Sequence, residues 1–407
     1  MEPRLKLVYL HQYFNTPEMT GSTRSYEMAK RIAAHGHEVH VITSLREGTA
    51  EQRWRVEEMC GFYVHWVSVP YGNDMSYAKR VLSFIRFALL STGRCISVRG
   101  DLIFATSTPL TIAIPALVTK WVTRKPMVFE VRDLWPDLPI AMGVLKSPVT
   151  IKLARWLERL AYKNAEHVVG CSPGMCDGVI RQDVDSDRVH NIPNSSDIEL
   201  FRVSKNRGDI FRQQHDWLGQ RPLVVYAGTF GRINGVEYLV RVAHASLESA
   251  PEIAFLVVGY GFDEQTIDSL AVELGVKGVN FYILPKQAKN RIPDIYSAAS
   301  LVTSLFLPIE AMWANSANKF FDGLAAGKPI AINYSGWQAE IVEAEEIGVL
   351  LDPYSPVSAA EVIREVVHDD RLLEKMGANS SRLADCTYSR DKLAEKLINV
   401  LEASVVA

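Results

Sequence analysis

Residues 5–43 read LKLVYLHQYFNTPEMTGSTRSYEMAKRIAAHGHEVHVIT, and this stretch decides the fold. An apolar run of strand length at 5–10 leads into a glycine-containing loop. A helical pattern at 25–36 follows, and a second apolar run lies at 38–43. Such a β-loop-α-β unit joins parallel strands, because antiparallel strands would need only a short hairpin. We therefore expect a parallel α/β sheet at the start of the chain.

The alternation of strand and helix patterns occurs twice. Further apolar runs lie at 63–69, 101–106, 126–131 and 167–171, and then at 222–228, 254–259, 280–284, 301–306 and 329–333. This pattern predicts two doubly wound α/β domains, whose ligands bind outside the carboxyl ends of the strands. A charged stretch that begins at residue 204 interrupts it. We predict domains at 1–203 and 204–388, with a last helix in 389–407 that packs back on the first.

Length and composition restrict the class of protein. The chain has 407 residues, of which 48% are hydrophobic and 22% charged, so disorder, collagen and coiled coil are excluded. It lacks a run of about 18 uncharged apolar residues, so we expect no transmembrane helix. Its start lacks the apolar core and cleavage site of a signal peptide. The five cysteines lack disulfide or zinc spacing, so we expect buried, reduced thiols in the cytoplasm.

The two halves of the chain differ in charge. Residues 1–205 carry 26 Lys and Arg against 21 Asp and Glu, a net charge of +5, and residues 206–407 carry 18 against 26, a net charge of −8. The asymmetry indicates that the first half meets an anionic surface or ligand.

The sequence lacks the motifs of several enzyme classes. The best glycine-rich loop of the second half, VVGYGFDEQ, has Gly259 and Gly261 but no third glycine, and no phosphate-binding P-loop is present. The signatures of serine hydrolases, zinc proteases and kinases are also absent. No nucleic-acid motif is visible, so we expect no nucleic-acid partner.

Four segments resemble glycosyltransferase family 4. They are HQYFNTPEMTGSTRSYEMAKRIAAHGHEVHVIT (11–43), YAGTFGRINGVEYLV (226–240), FLVVGYG (255–261) and NKFFDGLAAGKPIAINYSG (318–336). FEVRDLWPDLP (129–139) and the last segment also resemble a subgroup that builds bacterial O-antigen and capsule, including fucosamine-type amino-sugar transferases. The resemblance extends from about residue 5 to 354.

The resemblance implies a GT-B fold, in which two Rossmann-like domains face each other across a cleft. The first domain would bind the acceptor and the second the nucleotide-sugar. The family retains the anomeric configuration and needs neither a metal ion nor a covalent nucleophile. A UDP-sugar donor and a polyprenyl-diphosphate-linked acceptor would then be the substrates, with no further cofactor. Two alternatives stay open, a nucleotide-sugar epimerase of the same fold and a non-catalytic nucleotide-sugar-binding subunit.

The segment NKFFDGLAAG also has a physical interpretation. The leaving nucleoside diphosphate needs backbone N–H groups, a helix N-terminus or a cation. The predicted helix begins near Ser316 and Asn318, and Lys319 adds the cation. Asp322 lies one turn on, where its carboxylate can accept hydrogen bonds from ribose hydroxyls. An ordinary N-cap at Ser316 and a solvated pair of Lys319 with Asp322 are the alternatives.

Three positions depart from the family pattern in this half. The family usually has a glutamate where this chain has Ala314. In the loop that contains Gly228, the family has Arg and Lys where this chain has Thr229 and Asn234. Our hypothesis is that Arg232 and Lys319 replace that pair at the phosphates.

The predicted acceptor site lies in the first half. Gly21 lets the loop before the first helix approach a ligand closely. Arg132 stands where many family members have His, and Asp133 can take a proton from the acceptor hydroxyl. Glu130 either supports Arg132 or is itself the base. A structural ion-pair cluster is the alternative. Asn194 matches a family position near the donor, and an Asx-turn is its alternative.

Residues 77–100 contain five cations and no acidic residue. On a helix, Lys79, Ser83 and Arg86 form one stripe, with apolar residues on the other side. Such a helix can lie on anionic lipid, and its alternative is a domain helix whose apolar side faces the sheet. We therefore expect a peripheral protein on the inner face of the plasma membrane.

Overall fold

A computed structural model describes residues 4–19, 21–45, 54–70, 75, 77–195 and 197–406. The chain divides into two compact units. The first consists of residues 1–193, 314–316 and 391–407, and the second of residues 194–313 and 317–390. The boundary therefore falls ten residues before the predicted one at 203, because the residues after Pro193, including Phe201, pack into the core of the second unit.

The first unit is built on a largely parallel sheet. Within the described residues it has eight strands in the order β3-β4-β2-β1-β5-β6-β7-β8, and β3 alone is antiparallel to its neighbour. The strands are β1 Lys6–Leu10, β2 Glu38–Leu45, β3 Arg55–Met59, β4 Phe62–Ser68, β5 Leu102–Thr106, β6 Met127–Val131, β7 His167–Gly170 and β8 Val189–Asn191. The strand order reverses between β1 and β5, which is where open α/β sheets bind ligands.

Helices cover both faces of this sheet. They include α1 Arg24–Ala34, α2 Tyr77–Val98, α3 Ala113–Thr123, α4 Asp137–Ala141, α5 Pro148–Asn164 and α6 Pro173–Ile180. Phe87 of α2, Leu117 of α3 and Tyr162 of α5 enter the core on one face. Met28 and Ile32 of α1 enter the core on the other.

The second unit has a fully parallel sheet. Its described residues form six strands in the order β11-β10-β9-β12-β13-β14. The strands are β9 Leu223–Thr229, β10 Ala254–Tyr260, β11 Phe281–Pro285, β12 Leu301–Ser304, β13 Ile330–Ile332 and β14 Gly348–Leu350. Its helices are α7 Ile198–Phe201, α8 Lys205–Gln213, α9 Glu237–Ser246, α10 Glu264–Glu273, α11 Ile292–Ala298, α12 Asn318–Ala325, α13 Trp337–Ala344, α14 Pro356–Val367 and α15 Asp370–Cys386. Here the strand order reverses between β9 and β12.

The last helix, α16 Arg390–Val406, packs on the first unit. Leu393 and Leu397 join the core that contains Met28 and Ile32 of α1. Helices α1 and α16 therefore cover the same face of the first sheet.

Both sheets have the predicted doubly wound architecture, and each predicted apolar run contains a strand. Three strands were not predicted. Strand β3 has an exposed polar pattern at a sheet edge, and β8 and β14 have three residues each, too few for periodicity to register. The prediction of buried thiols is correct for Cys95, Cys171 and Cys176 but wrong for Cys60 and Cys386, which are exposed.

Helix α2 is the one helix among the described residues with the length and apolarity of a membrane span. Its portion Lys79–Val98 has a mean hydropathy of 1.5, and 33% of the most apolar window is buried in the protein. Phe87 and Cys95 lie in the core of the first unit, so one side of α2 belongs to the helix layer of this domain.

Candidate functional site

Polar side chains gather at the carboxyl ends of β1, β5 and β6 in the first unit. His11 directly follows β1, Thr108 comes two residues after β5, and Arg132 and Asp133 directly follow β6. The carboxyl ends of parallel strands meet at one edge of the sheet, so these residues come together although they are far apart in sequence.

Glu130 and Arg24 form a buried ion pair beneath this edge. The Oε1 atom of Glu130 accepts hydrogen bonds from Nε and Nη2 of Arg24 at 3.0 and 2.8 Å, and Oε2 accepts one from Thr106 at 2.5 Å. Burial by itself raises the pKa of Glu130, but the charges of Arg24 and Arg132 and these hydrogen bonds bring it below its usual value. Both carboxylate oxygens are therefore engaged, and we assign Glu130 a positioning role.

Arg24 also fastens the end of the first unit. Its guanidinium donates to the carbonyl oxygens of Ile192 at 2.9 Å and Pro193 at 2.7 Å. Arg24 is buried, so it is not a solvated cation of the first helical turn. It is instead the residue that joins α1, β6 and the last residues before the second unit.

Arg132 lies above this pair and is half-buried. Its Nη2 donates to the Ser22 hydroxyl at 3.1 Å, and its Nη1 lies 3.3 Å from Nε2 of His11. Its backbone N–H donates to the Ser107 hydroxyl at 3.0 Å. These contacts place a fixed positive charge at the switch point of the sheet, where an anionic substrate group can bind.

Asp133 is oriented by a single strong hydrogen bond. Its Oδ2 accepts from the Thr108 hydroxyl at 2.7 Å. Burial raises the pKa of Asp133 even though the Thr108 bond and the charge of Arg132 act in the opposite direction. A carboxylate with a raised pKa, held at a strand end, is suited to accept a proton from a hydroxyl.

Gly21 has a local structural reason to be glycine. Its φ is +128°, and a Cβ atom would lie 2.6 Å from Nδ2 of Asn15. That amide donates to the carbonyl oxygens of Tyr13 at 3.1 Å and Ser22 at 3.3 Å. The absence of a side chain at Gly21 therefore leaves room for the Asn15 amide, whose hydrogen bonds hold the loop between β1 and α1. A contact between Gly21 and a ligand stays a prediction.

A second cluster lies in the other unit, at the carboxyl end of β9. The side chain of Lys319 crosses Gly228 so closely that a Cβ atom there would collide with Cε of the lysine. The ammonium lies 5.0 Å from the ring centroid of Tyr226, a cation–π distance. Glycine at 228 thus allows a lysine of α12 to reach the end of β9.

The surroundings of Lys319 change its acidity. Loss of water around the ammonium lowers its pKa from 10.5 to about 8, and the charge of Asp322 opposes that shift. At pH 7 the side chain still carries most of its charge. It is therefore a poorly solvated cation, which gains more from an anionic ligand than a solvated one does.

Arg232 occupies the turn after β9. It is exposed, and its guanidinium lies 4.6 Å from the ring centroid of Phe262. The carbonyl oxygen of Thr229 accepts a hydrogen bond from the Tyr226 hydroxyl at 2.8 Å, which fixes the backbone where β9 ends. Lys319 and Arg232 thus both belong to the carboxyl end of β9, and each lies over an aromatic ring.

The start of α12 differs from the prediction in detail. The helix begins at Asn318, its N-cap is Ala317, and no side chain caps it. Ser316 is therefore not the N-cap, and with Ala314 it belongs to the first unit by its contacts. Asn318 is exposed at the first position of α12, and Asp322 lies one turn on.

Ala314 lies in a tight contact within the first unit. A Cβ atom at Gly174 would be 3.0 Å from Cβ of Ala314, and the Ser172 hydroxyl donates to the Ala314 carbonyl oxygen. The close approach of backbone at Gly174 explains why a small residue fits at 314. Asn194, the first residue of the second unit, is buried.

Sequence reasoning missed two groups of this site, His11 and Thr108. The signal for His11 was its position directly after the first strand, which is a usual place for functional side chains. For Thr108 no pattern was available, because its role depends on contact with Asp133, 25 residues on.

Comparison with known families agrees with this geometry. Residues 20–195 match the family described as "Glycosyl transferase 4-like domain", and residues 208–383 match "Glycosyl transferases group 1". The chain belongs to glycosyltransferase family 4, with the GT-B fold. The resemblance to family 4 seen in the sequence is thereby confirmed.

One curated relative and two solved structures span nearly the whole chain. The relative, "Putative colanic acid biosynthesis glycosyl transferase WcaI" of Escherichia coli K12, is 25% identical over 97% of this chain and 98% of its own. Anabaena Alr3699/HepE, solved with UDP and glucose, has a TM-score of 0.74 at 18% identity, covering 98% of this chain and all of that one. WaaG, a lipopolysaccharide biosynthesis glycosyltransferase, has a TM-score of 0.72 at 17% identity, covering 97% and 99%.

Proposed function

We propose that this family 4 glycosyltransferase transfers a sugar, in the first instance an N-acetylated amino sugar, from a UDP-sugar to a polyprenyl-diphosphate-linked saccharide. The transfer would retain the anomeric configuration, need no metal ion and serve bacterial surface polysaccharide synthesis. The observation that carries the proposal is Lys319, a poorly solvated cation held against Gly228 at the carboxyl end of β9. It suits a leaving nucleoside diphosphate, whose negative charge grows during transfer.

The relatives favour the same substrates. HepE was solved with UDP and glucose, WaaG acts in lipopolysaccharide biosynthesis, and WcaI is named for colanic acid biosynthesis. The names of WaaG and WcaI concern glycosyl transfer in the synthesis of a bacterial surface polysaccharide, and the HepE structure contains UDP. They support a UDP-linked donor and a surface-polysaccharide acceptor for this chain.

In the proposed reaction Arg132 and Asp133 serve the acceptor. Arg132 binds an anionic group of the acceptor, for which a lipid diphosphate is suitable. Asp133, oriented by Thr108, takes the proton of the acceptor hydroxyl as the new glycosidic bond forms. Lys319 and Arg232 neutralise the departing UDP. Arg24 and Glu130 hold the end of β6, which carries Arg132 and Asp133.

A substrate panel tests the proposal. We expect UDP to stabilise the protein in a thermal-shift assay, by about 2.7 kcal/mol at a hundredfold excess over its Kd, and GDP, ADP and TDP to stabilise it less. We also expect radiolabelled UDP-N-acetylhexosamine to label a lipid-extractable product when bacterial membranes are added, in the presence of EDTA.

Two outcomes would contradict the proposal. Conversion of the UDP-sugar to its epimer without acceptor would favour an epimerase. Binding of UDP with no turnover, on membranes from the organism that encodes the chain, would favour a non-catalytic subunit.

We further propose that the protein is a peripheral membrane protein on the cytoplasmic side. Helix α2 carries Lys79, Arg80, Arg86 and Arg94 and no acidic residue. A lipid-linked acceptor requires the enzyme to work at the bilayer surface, where such a helix is attracted to anionic headgroups.

A further inference from the structure

Three helices of the first unit, α2, α3 and α5, form a continuous layer on one face of its sheet. Helix α3 packs against both α2 and α5. Their inward side chains, including Phe87, Leu117 and Tyr162, share one core with the strands. The side chains that point away from this core therefore form one outer surface, which we call the three-helix face.

The three-helix face is unusually apolar for a surface. Six large apolar side chains, each more than half exposed, represent it: Leu82, Leu89, Trp121, Val122, Leu153 and Trp156. Leu82 and Leu89 are seven residues apart on α2, and Leu153 and Trp156 are three apart on α5, so each pair lies along one side of its helix. Several large exposed apolar side chains on one layer of packed helices indicate an interaction site.

The orientation of α2 differs from one of the two alternatives that its sequence left open. In that alternative, the side of α2 opposite Lys79, Ser83 and Arg86, which is apolar, faces the sheet. The structure instead turns Ser83, Phe87 and Cys95 inward and leaves Leu82 and Leu89 outside. The domain therefore does not use these leucines for its own core.

The same face carries a strong positive charge. The sequences of α2, α3 and α5 contain nine Lys and Arg residues and one acidic residue, Glu158. Glu158 is buried, and burial, with the nearby charge of Asp137, raises its pKa to about 7. Lys152, Arg155 and Arg159 stand exposed beside Leu153 and Trp156.

We propose that the three-helix face is a membrane-docking surface, which lies flat on an anionic lipid bilayer. Its leucines and tryptophans enter the boundary between headgroups and acyl chains, and its cations remain among the headgroups. Tryptophan is favoured at that depth because its ring is apolar and its N–H is polar.

Charge complementarity selects this occupant. A second copy of the chain would place the exposed cations of this face, among them Lys152, Arg155 and Arg159, opposite the same cations, because a twofold interface pairs a surface with itself. A nucleic acid would match the cations but leave the apolar side chains uncovered. An anionic bilayer satisfies both features.

This inference extends the proposed function from α2 alone to α3 and α5 and gives the enzyme an orientation on the membrane. It rests on the proposed function only for the reason why the enzyme would bind a membrane, which is to reach a lipid-linked acceptor. Its test measures lipid binding and not sugar transfer, so each can fail without the other.

The test is co-sedimentation of the full chain with vesicles of phosphatidylcholine, with and without phosphatidylglycerol, at low and high salt. We expect binding only to the anionic vesicles, and weaker binding at high salt. The double variant Leu153→Glu/Trp156→Glu should bind about tenfold or more weakly, because two carboxylates replace two apolar anchors. The matched control is Val272→Glu/Tyr354→Glu, at apolar positions of the second unit that are also more than half exposed, and it should bind as the wild type does.

A second measurement does not depend on the folding of that variant. Lipids brominated on the acyl chain quench nearby tryptophans, so vesicles made from them should quench the wild type, and Trp156→Phe should lose part of that quenching. Absence of binding at low salt, equal binding by both double variants, or no quenching would overturn the proposal. A dimer that the Leu153→Glu/Trp156→Glu variant abolishes would instead show that a second copy covers the face.

Discussion

The cations of the two strand-end clusters have different partners. In the first unit, the cation Arg24 is buried against a carboxylate, and Thr106 occupies the other oxygen of Glu130. In the second unit, the cations Lys319 and Arg232 lie over the rings of Tyr226 and Phe262. The charge of a cation paired with a buried carboxylate is already neutralised within the fold, whereas a cation over a ring can still bind an anion.

This contrast distinguishes residues that stabilise the fold from residues that bind a ligand. The pair of Arg24 and Glu130 should control stability, and Lys319 and Arg232 should control nucleotide binding. Asp133 is intermediate between these cases, because among the described residues Thr108 alone donates to its carboxylate, on one oxygen, and Asp133 is partly exposed. The five predictions below test the contrast, from the largest expected effect to the smallest.

Asp133→Asn should have the largest effect. The amide keeps the shape and the bond from Thr108 but cannot accept a proton, so we expect kcat to fall by about 10²–10⁴. The Kd for UDP, measured by calorimetry, should stay unchanged. Asp137→Asn, an exposed carboxylate four residues on, is the matched control and should keep full activity. A fully active Asp133→Asn enzyme would remove Asp133 from the mechanism.

Glu130→Gln should unfold the protein more easily. It leaves the buried guanidinium of Arg24 without a counter-charge, at a cost of about 3–5 kcal/mol in the free energy of unfolding. Denaturation by urea, followed by circular dichroism, measures it. Asp385→Asn breaks the half-exposed pair with Arg202 and should cost no more than about 1 kcal/mol. Equal losses in both variants would contradict the assignment of a structural role to Glu130.

Lys319→Met should weaken UDP binding by about 10–100-fold, since a hydrogen bond to a charged group is worth about 1.5–3 kcal/mol. Lys328→Met is the matched control. Burial lowers the pKa of Lys328 to about 8 as well, but its ammonium donates to the carbonyl oxygens of Ser297 and Ala299. The control should lose stability and keep its affinity for UDP. If Lys328→Met lost affinity for UDP and Lys319→Met kept it, Lys328 and not Lys319 would be the lysine that binds the nucleotide.

The affinity for UDP should fall as the pH rises through about 8. Lys319 is charged below its pKa of about 8 and neutral above it, so we expect roughly tenfold weaker binding at pH 9 than at pH 7. Lys319→Met should show no such change. Without ligand the sign reverses: between about pH 8 and 10.5 the unfolded chain holds more protons than the folded one, so Lys319 makes the free energy of unfolding rise with pH. A flat binding profile for the wild type would place the phosphates elsewhere.

Arg232→Ala should have the smallest effect. The guanidinium is exposed and screened by water, so we expect a loss of about two- to fivefold in kcat/KM. Arg241→Ala, on the exposed side of α9, is the control and should be silent. A loss as large as that of Lys319→Met would show that Arg232 closes over the nucleotide.

The sequence allowed prediction of the strands and of part of the site. Apolar runs located the long parallel strands because a strand covered on both faces must be apolar throughout. The strand-end rule then selected Arg132 and Asp133, which are adjacent in sequence and directly follow β6. These predictions needed only local information.

Other relations are not local. Arg24 and Glu130 are 106 residues apart in the chain, and no periodicity links them. The sequence therefore left Glu130 as a support for Arg132 or a candidate base, and it offered no reason to pair Glu130 with Arg24. Gly228 and Lys319 are likewise distant in sequence, and the need for glycine at 228 follows only from the lysine that crosses it.

By itself, the sequence determined the family and the two doubly wound sheets and indicated which loops carry the candidate site, because hydrophobic periodicity and motif order are properties of neighbouring residues. The tertiary structure decided which charges are paired in the fold and which remain for a ligand. It also decided which side of α2 faces away from the core of the first unit. Those outcomes depend on desolvation and on contacts between distant segments, and both exist only once the chain has folded.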